Sequence, residues 1–303
     1  MHSQGLEFRV AESKQDIWAQ WILHRRFGGD SEQLNAALTN FLYPVRDKVL
    51  GHANLDEGET LLDVGCGDGL IAFGALEKVK TARVVFSDIS QDLLDYAQSI
   101  ARDMQVTDRC EFLRASADDL SVIVDNSINV VTTRSVLIYV SAKQKAFNEF
   151  VRVLKPKGRL SIFEPINRFA WPEPPHLFDG YDVTPIIEIA EKVKALYIRL
   201  QPPDSDPMTN FDERDLIALA EQAGFREIHL ELQVEVKPPT EVTSWETFIR
   251  SAGNPKIPTL EEAISQTLTS AEAEKFVAHL RPLVEARQGT VRSAVAYLWA
   301  AKN

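Results

Sequence analysis

The chain has 303 residues, 45% apolar and 25% charged, with a formal net charge of −11. These values suit a globular protein of one large domain or about two smaller ones. They leave no apolar run of membrane-spanning length, so no membrane partner is expected, and they argue against a nucleic-acid partner, which needs a basic face. The two cysteines, Cys66 and Cys110, form neither a disulfide framework nor a cysteine-rich metal site, and Met1–Gly5 lacks a secretory pattern. A cytoplasmic protein with no metal is expected.

The opening residues 1–50 read as helical. Ile17, Trp18, Trp21 and Ile22 fall at helical spacing and Gly28-Gly29 closes that helix. Asp30 or Ser31 caps a second helix carrying Leu34, Ala37, Leu38, Phe41 and Leu42, which Pro44 is expected to interrupt or kink. The aromatics Trp18, Trp21 and Tyr43, with His24, either pack this pair on a core or form a lid whose rings touch a ligand.

From Thr60 strands and helices alternate, the pattern of βαβ units and a parallel sheet. Leu61-Leu62-Asp63-Val64 is a short apolar strand, followed by Gly65-Cys66-Gly67-Asp68-Gly69 and a helix from Leu70. Val84–Asp88 is the second strand, and Ser90 caps a helix with its stripe at Leu93, Leu94, Ala97, Ile100, Ala101 and Met104. Cys110–Leu113 and Ile128–Thr133 are the third and fourth strands. Ser141 with Gln144 predicts a capping box for the next helix, Lys155-Pro156-Lys157-Gly158 stops that helix, and Arg159–Glu164 is the fifth strand.

The regularity breaks at 166–210, where two proline clusters flank an amphipathic helix over Pro185–Leu200. The core resumes with a helix between Asp212 and Gly224 and a sixth strand over Ile228–Val236. Residues 237–290 form a second helical insertion and Val291–Ala300 the last strand. A core of 51–165, 211–236 and 291–303 is therefore expected, under an N-terminal helical lid. The insertions at 166–210 and 237–290 would act as a substrate cap or an interface between copies of the chain.

Acidic residues recur at three strand ends: Asp63, Asp88 and Asp118. In an open parallel sheet ligands bind over those ends. Asp88 is placed to take a ribose diol, Asp118 an exocyclic amine, and Asp63 a cationic ammonium beside a glycine turn that lets backbone approach closely. The trio suits an adenosine carrying a zwitterionic amino-acid tail. A nicotinamide or flavin dinucleotide, suggested by Gly67-Asp68-Gly69-Leu70-Ile71-Ala72, would leave Asp63 beside a pyrophosphate that it repels.

Leu62–Gly69 resembles the D/E-x-G-x-G-x-G motif of class I S-adenosylmethionine-dependent methyltransferases. Val85–Ser90 is similar to their ribose-binding strand end, Ser116–Leu120 to their adenine turn, and Val153–Leu160 to the helix-to-strand stretch of the small-molecule members. The resemblance implies a Rossmann-like, seven-stranded, mostly parallel α/β sheet with helices on both faces and an antiparallel last strand. It implies S-adenosylmethionine as cofactor and S-adenosylhomocysteine as product. By that likeness Asp63, Gly65, Cys66 and Gly67 hold the methionine moiety, Cys66 through its backbone. Asp88 and Ile89 hold the ribose, Ser116, Ala117 and Asp118 the adenine, and Thr133 with Arg134 line the methyl side. Two departures stand out: Ser116 replaces a frequent acid, and Arg134 puts a cation near a sulfonium, unfavourable unless it points away or pairs.

In-line methyl transfer draws much of its rate from positioning and water exclusion, and a general base is optional. Glu164 and Tyr139 at the strand ends, and His24 and His176 from the added segments, are the candidates for that role, with Glu164 first. Glu164 can alternatively fix the Pro165-Ile166-Asn167 turn. The fourth strand is followed by neither N/D-P-P-Y/F/W nor a glutamate pair, which disfavours nucleic-acid bases and protein arginines as acceptors. His176, Asp179 and Asp182 read better as a solvated loop than as a cation site. A small organic acceptor remains, methylated on carbon, oxygen or nitrogen. The alternatives are a protein that holds the cofactor without chemistry and a nicotinamide-dependent oxidoreductase.

Overall fold

The computed structural model describes residues 15–240 and 243–303; the opening residues on which the secretory-signal reading rests lie outside them. Seven strands form one sheet: β1 Thr60–Val64, β2 Arg83–Asp88, β3 Cys110–Arg114, β4 Ile128–Arg134, β5 Leu154–Pro165, β6 Glu227–Lys237 and β7 Val291–Ala301. Their order is β3-β2-β1-β4-β5-β7-β6, with β1 to β5 parallel and β7 antiparallel to both neighbours. The order reverses at β1, whose neighbours are β2 and β4, so the crevice for a ligand lies above the carboxyl end of β1.

The helices are α1 Ile17–Gln20, α2 Ser31–Ala37, α3 Tyr43–Ala53, α4 Leu70–Lys78, α5 Gln91–Asp103 and α6 Lys143–Val153. Then come α7 Ile187–Leu200, α8 Glu213–Ala223, α9 Trp245–Arg250, α10 Leu260–Thr267 and α11 Ser270–Glu285. Alternation along β1 sends Leu62 and Val64 to a core shared with Phe147 and Phe150 of α6 and Leu216 of α8. Leu61 joins a second core with Val45 and Val49 of α3 and Ile71 of α4. Both faces of β1 are covered, which is why its sequence is an apolar run.

The two insertions share a third core. Phe178, Val193 and Leu196 from the first pack with Trp245, Phe276 and Leu280 from the second. Each such side chain contributes about 1.5–3 kcal/mol on burial, so the insertions fold together as one helical unit, the expected cap or interface. The N-terminal segment is pinned to this cap: the Trp21 indole donates to the Ala252 carbonyl at 2.7 Å, and Ala252 N–H to the Arg25 carbonyl at 3.1 Å.

Pro44 interrupts the helix as expected: a π-helical segment over Leu38–Leu42 separates α2 from α3, and Pro44 follows in the first turn of α3. Local expectations shift in two places. The Ser141–Gln144 capping box is absent, because α6 starts at Lys143 and the Gln144 amide turns to Asn148 and the Leu219 carbonyl. Lys155–Gly158 belongs to β5, taken up by a register shift against β4 and a positive φ of 64° at Lys157.

Candidate active site

The turn after β1 is built from backbone that only glycine adopts cheaply. Gly65, Gly67 and Gly69 have φ of 65°, 56° and 87°. A Cβ on Gly65 would lie 2.4 Å from Val136 Cγ2, and one on Gly67 3.2 Å from Ile22 Cδ1. The turn thus carries two backbone surfaces pressed between the β4 loop and the N-terminal segment. Cys66 N–H donates to the Ser87 carbonyl at 2.9 Å, and the Cys66 carbonyl accepts from Gly69 N–H at 2.9 Å. Burial pushes the Cys66 thiol well above its ordinary range.

Asp63 supports this turn from beneath. It is 2% exposed and accepts from Thr132 Oγ1 at 2.9 Å and from Ala72 N–H, at the start of α4, at 3.2 Å. Burial raises its carboxyl to about 7. Asp88, at the end of β2, accepts from Gly67 N–H and from Ser90 N–H, each at 2.9 Å. Each oxygen keeps a second lone pair, and burial pushes its carboxyl up.

Above the turn lies a cavity of about 590 Å³, within the ~300–1,000 Å³ usual for ligand sites. Gly65, Gly67, Asp88, Ile89, Ser116, Ala117, Arg134 and Tyr139 all line it. Asp63, Cys66, Asp118, Thr133, Glu164 and His24 are not among its lining residues. Asp118 accepts a hydrogen bond from the Ser116 hydroxyl behind the turn, and Thr133 is fully buried. His24 is exposed, 3.2 Å from Gln15 Oε1.

Glu164 is 0% exposed and collects three backbone donors, Val136 and Leu137 N–H at 2.9 Å and Ile138 N–H at 3.2 Å. It therefore fixes the loop after β4 rather than the Pro165-Ile166-Asn167 turn. Burial outweighs those donors and raises its carboxyl to about 7. Ser135, at the start of that loop, takes φ 57° and donates to the Phe163 carbonyl at 2.8 Å.

The opposite wall is aromatic. Trp18, Trp21, Phe27, Phe41 and Phe163 face the cavity, and Trp18 meets Tyr139 edge-on with centroids 4.9 Å apart. Tyr43 instead stays exposed under the Arg46 guanidinium, 4.5 Å from its ring centroid. Arg26 also lines the cavity, 5.6 Å and 5.2 Å from the ring centroids of Trp21 and Phe27. Burial, then the neighbouring Arg134, draws its guanidinium down to about 10. Burial pushes the Tyr139 phenol up, so it stays protonated near neutral pH. The sequence reading lacks Arg26, Phe27, Asn167, Met208 and Arg292 as cavity residues. Each sits in a stretch whose only sequence signal is a helical stripe, a loop or a strand.

The lining suits an adenosine with an amino-acid tail in kind: close-approach glycine backbone at Gly65 and Gly67, the Asp88 carboxylate, and a small-residue turn at Ser116-Ala117. Known proteins agree. A family model described as a methyltransferase domain matches residues 55–178. The ubiquinone/menaquinone biosynthesis C-methyltransferase UbiE of Escherichia fergusonii is 30% identical over 184 residues, covering 56% of this chain and 68% of that protein. The YcgJ protein of Bacillus subtilis has a TM-score of 0.53 at 16% identity, covering 86% of this chain and 99% of that one. The geranyl diphosphate C-methyltransferase of Streptomyces coelicolor has a TM-score of 0.52 at 15% identity, covering 93% and 89%. At such identities the structures speak for the fold, and the sequence relative carries the family. The chain belongs to the class I S-adenosylmethionine-dependent methyltransferases, and to those of them that methylate small molecules.

Proposed function

We propose that this enzyme methylates a small organic acceptor enclosed between the glycine turn and the aromatic wall formed by the N-terminal lid and the end of β5, with the cap adding Met208, Ala252 and Gly253. The observation that carries the reading is one continuous cavity joining Gly65, Gly67, Asp88 and Ser116-Ala117 to Trp18, Trp21 and Tyr139. When bound, S-adenosylmethionine supplies an electrophilic methyl carbon on a sulfonium. Asp88 receives the ribose diol with its two remaining lone pairs, Ile89 lies beside it, and Ser116 and Ala117 border the adenine. Gly65 and Gly67 let backbone approach the methionine tail. Asp63, Cys66, Asp118 and Thr133 act from behind by shaping the strand ends.

Glu164 is a positioning residue, holding the loop that presents Tyr139. The aromatic wall excludes water and orients the acceptor, which suits a displacement with a good leaving group. Relatives named for C-methylation make carbon the first acceptor atom to assay, before oxygen and nitrogen. Among the described residues no helix is long and apolar enough to cross a membrane, and no cluster of metal-ligating side chains is present. A cytoplasmic enzyme without a nucleic-acid partner, paired through the cap if it pairs at all, completes the proposal.

Calorimetry tests it. One S-adenosylhomocysteine should bind per chain, and Asp88→Asn should weaken binding about 10–100-fold, because an amide oxygen replaces two charge-assisted acceptors. Absence of binding by the unaltered protein would overturn the proposal.

A further inference from the structure

Arg134 posed a problem in the sequence: a cation where a sulfonium must sit. The structure sharpens it, because Arg134 shares the cavity with Arg26, and Arg292 stands at its rim. Neither Arg26 nor Arg134 has a hydrogen-bond acceptor or a carboxylate partner among the described residues. Arg26 is held by rings, its guanidinium near Trp21 and Phe27, and Asp68 attracts it without forming an ion pair. The Arg292 guanidinium lies 5.5 Å from the Phe169 ring centroid. The carboxylate lining the cavity is Asp88, already engaged by two backbone amides. A chain of net charge −11 thus lines this cavity with three guanidiniums and a single carboxylate.

The bound cofactor worsens the imbalance, since its sulfonium and ammonium outnumber its carboxylate. Guanidiniums left unpaired in a cavity that a ligand closes off from water are costly, and a planar fork is matched by a carboxylate, phosphate or ionised hydroxyl. A second observation points the same way. No histidine, cysteine, lysine or glutamate lines the cavity among the described residues, and Glu164 is spent on three backbone amides. The site has no side chain fit to take a proton from a neutral acid, but it has two that would lower such an acid's pKa.

We infer that the acceptor is an acid bound as its anion, an aromatic or otherwise apolar molecule whose ionised oxygen is clamped by Arg26 and Arg134. The inference rests on the methyl-transfer reading and adds the substrate class. If the ionised oxygen is methylated, its lone pair forms the new O–C bond and the C–S pair returns to sulfur, leaving two neutral products. If a conjugated carbon is methylated, the oxyanion's electrons reach that carbon, and its proton leaves to water after the C–S pair has gone to sulfur.

The test uses the full chain loaded with S-adenosylhomocysteine, titrated with benzoate, 4-hydroxybenzoate and phenyl phosphate, each against a neutral isostere such as benzamide. At least one anion should bind about tenfold or more tighter than its isostere, and Arg26→Gln and Arg134→Gln should each erase that preference while the cofactor product still binds. Equal binding of anion and isostere, or no binding of any anion at millimolar concentration, overturns the inference. So does a variant that weakens S-adenosylhomocysteine tenfold but spares its decarboxylated analogue, since the arginines would then serve the methionine tail. Failure of the unaltered protein to bind S-adenosylhomocysteine instead overturns the methyl-transfer reading, so the two failures are separable.

Discussion

The two walls of the cavity are made by different means. The wall proposed for the cofactor is backbone and strand ends from one stretch, Gly65 to Tyr139, locked by hydrogen bonds such as Gly67 N–H to Asp88. The wall proposed for the acceptor is side chains from separated segments, including residues 18–27, 163–170, Met208 and Arg292, with the N-terminal segment pinned to the insertions through Trp21 and Arg25 to Ala252. A backbone-built wall tolerates almost no change at its glycines, whereas a side-chain wall can be rewritten residue by residue without touching the sheet. That division lets one fold keep one cofactor and change its acceptor.

The sharpest way to break the comparison is to put a side chain into the backbone wall. Gly65→Ala meets Val136 Cγ2 at 2.4 Å and forces alanine to φ 65°. Overpacking and left-handed strain together should cost about 2–4 kcal/mol of folding stability in urea. Adding Val136→Ala should recover the overpacking share and leave roughly the strain of about 1 kcal/mol. Equal stability of Gly65→Ala and the unaltered chain would show that the turn is not under this constraint.

The cofactor wall was legible because its demands are written into residue types: glycine where φ is positive, an acid where a strand ends. The same rule misled at Glu164. Asp88 and Glu164 both end parallel strands, yet Asp88 faces the cavity and Glu164 turns under the loop at 136–138. Nothing in a strand-end carboxylate reveals which way it faces until the neighbouring loop is placed. The acceptor wall was less legible still. Trp18 and Trp21 carry a helical spacing that serves core and lid alike, and nothing in the local pattern around Arg26 and Arg292 marks them as cavity residues.

Glu164 and Asp63 also give the buried wall a pH signature. Both carboxyls are raised to about 7 by burial, against ~4 in an unfolded chain. Between those values the folded chain holds more protons than the unfolded one, so stability falls as pH rises through the window and levels off above about 7. Each group contributes a slope of at most about 1.4 kcal/mol per pH unit. Urea titrations from pH 5 to 8 should show the fall, and Glu164→Gln, though less stable throughout, should lose its share of the slope. A slope unchanged in the variant would mean that this carboxyl is ionised throughout.

The smallest expected effect separates the lid from the sheet. Asp16 caps α1 by accepting from Trp18 N–H at 2.9 Å and Ala19 N–H at 3.0 Å. Its other oxygen accepts from the Ser90 hydroxyl at 2.7 Å, and Ser90 is itself the N-cap of α5 and donates its N–H to Asp88. One side chain therefore ties the aromatic wall to Ser90 and, through it, to Asp88. Asp16→Ala should cost about 0.5–2 kcal/mol, the usual price of a lost cap. The loss should appear as faster hydrogen exchange over residues 16–30, with protection of β1, β2 and β4 unchanged. If exchange accelerates in the sheet as well, lid and cofactor wall open as one unit, and closure over the acceptor would be coupled to how firmly the turn holds the methyl donor.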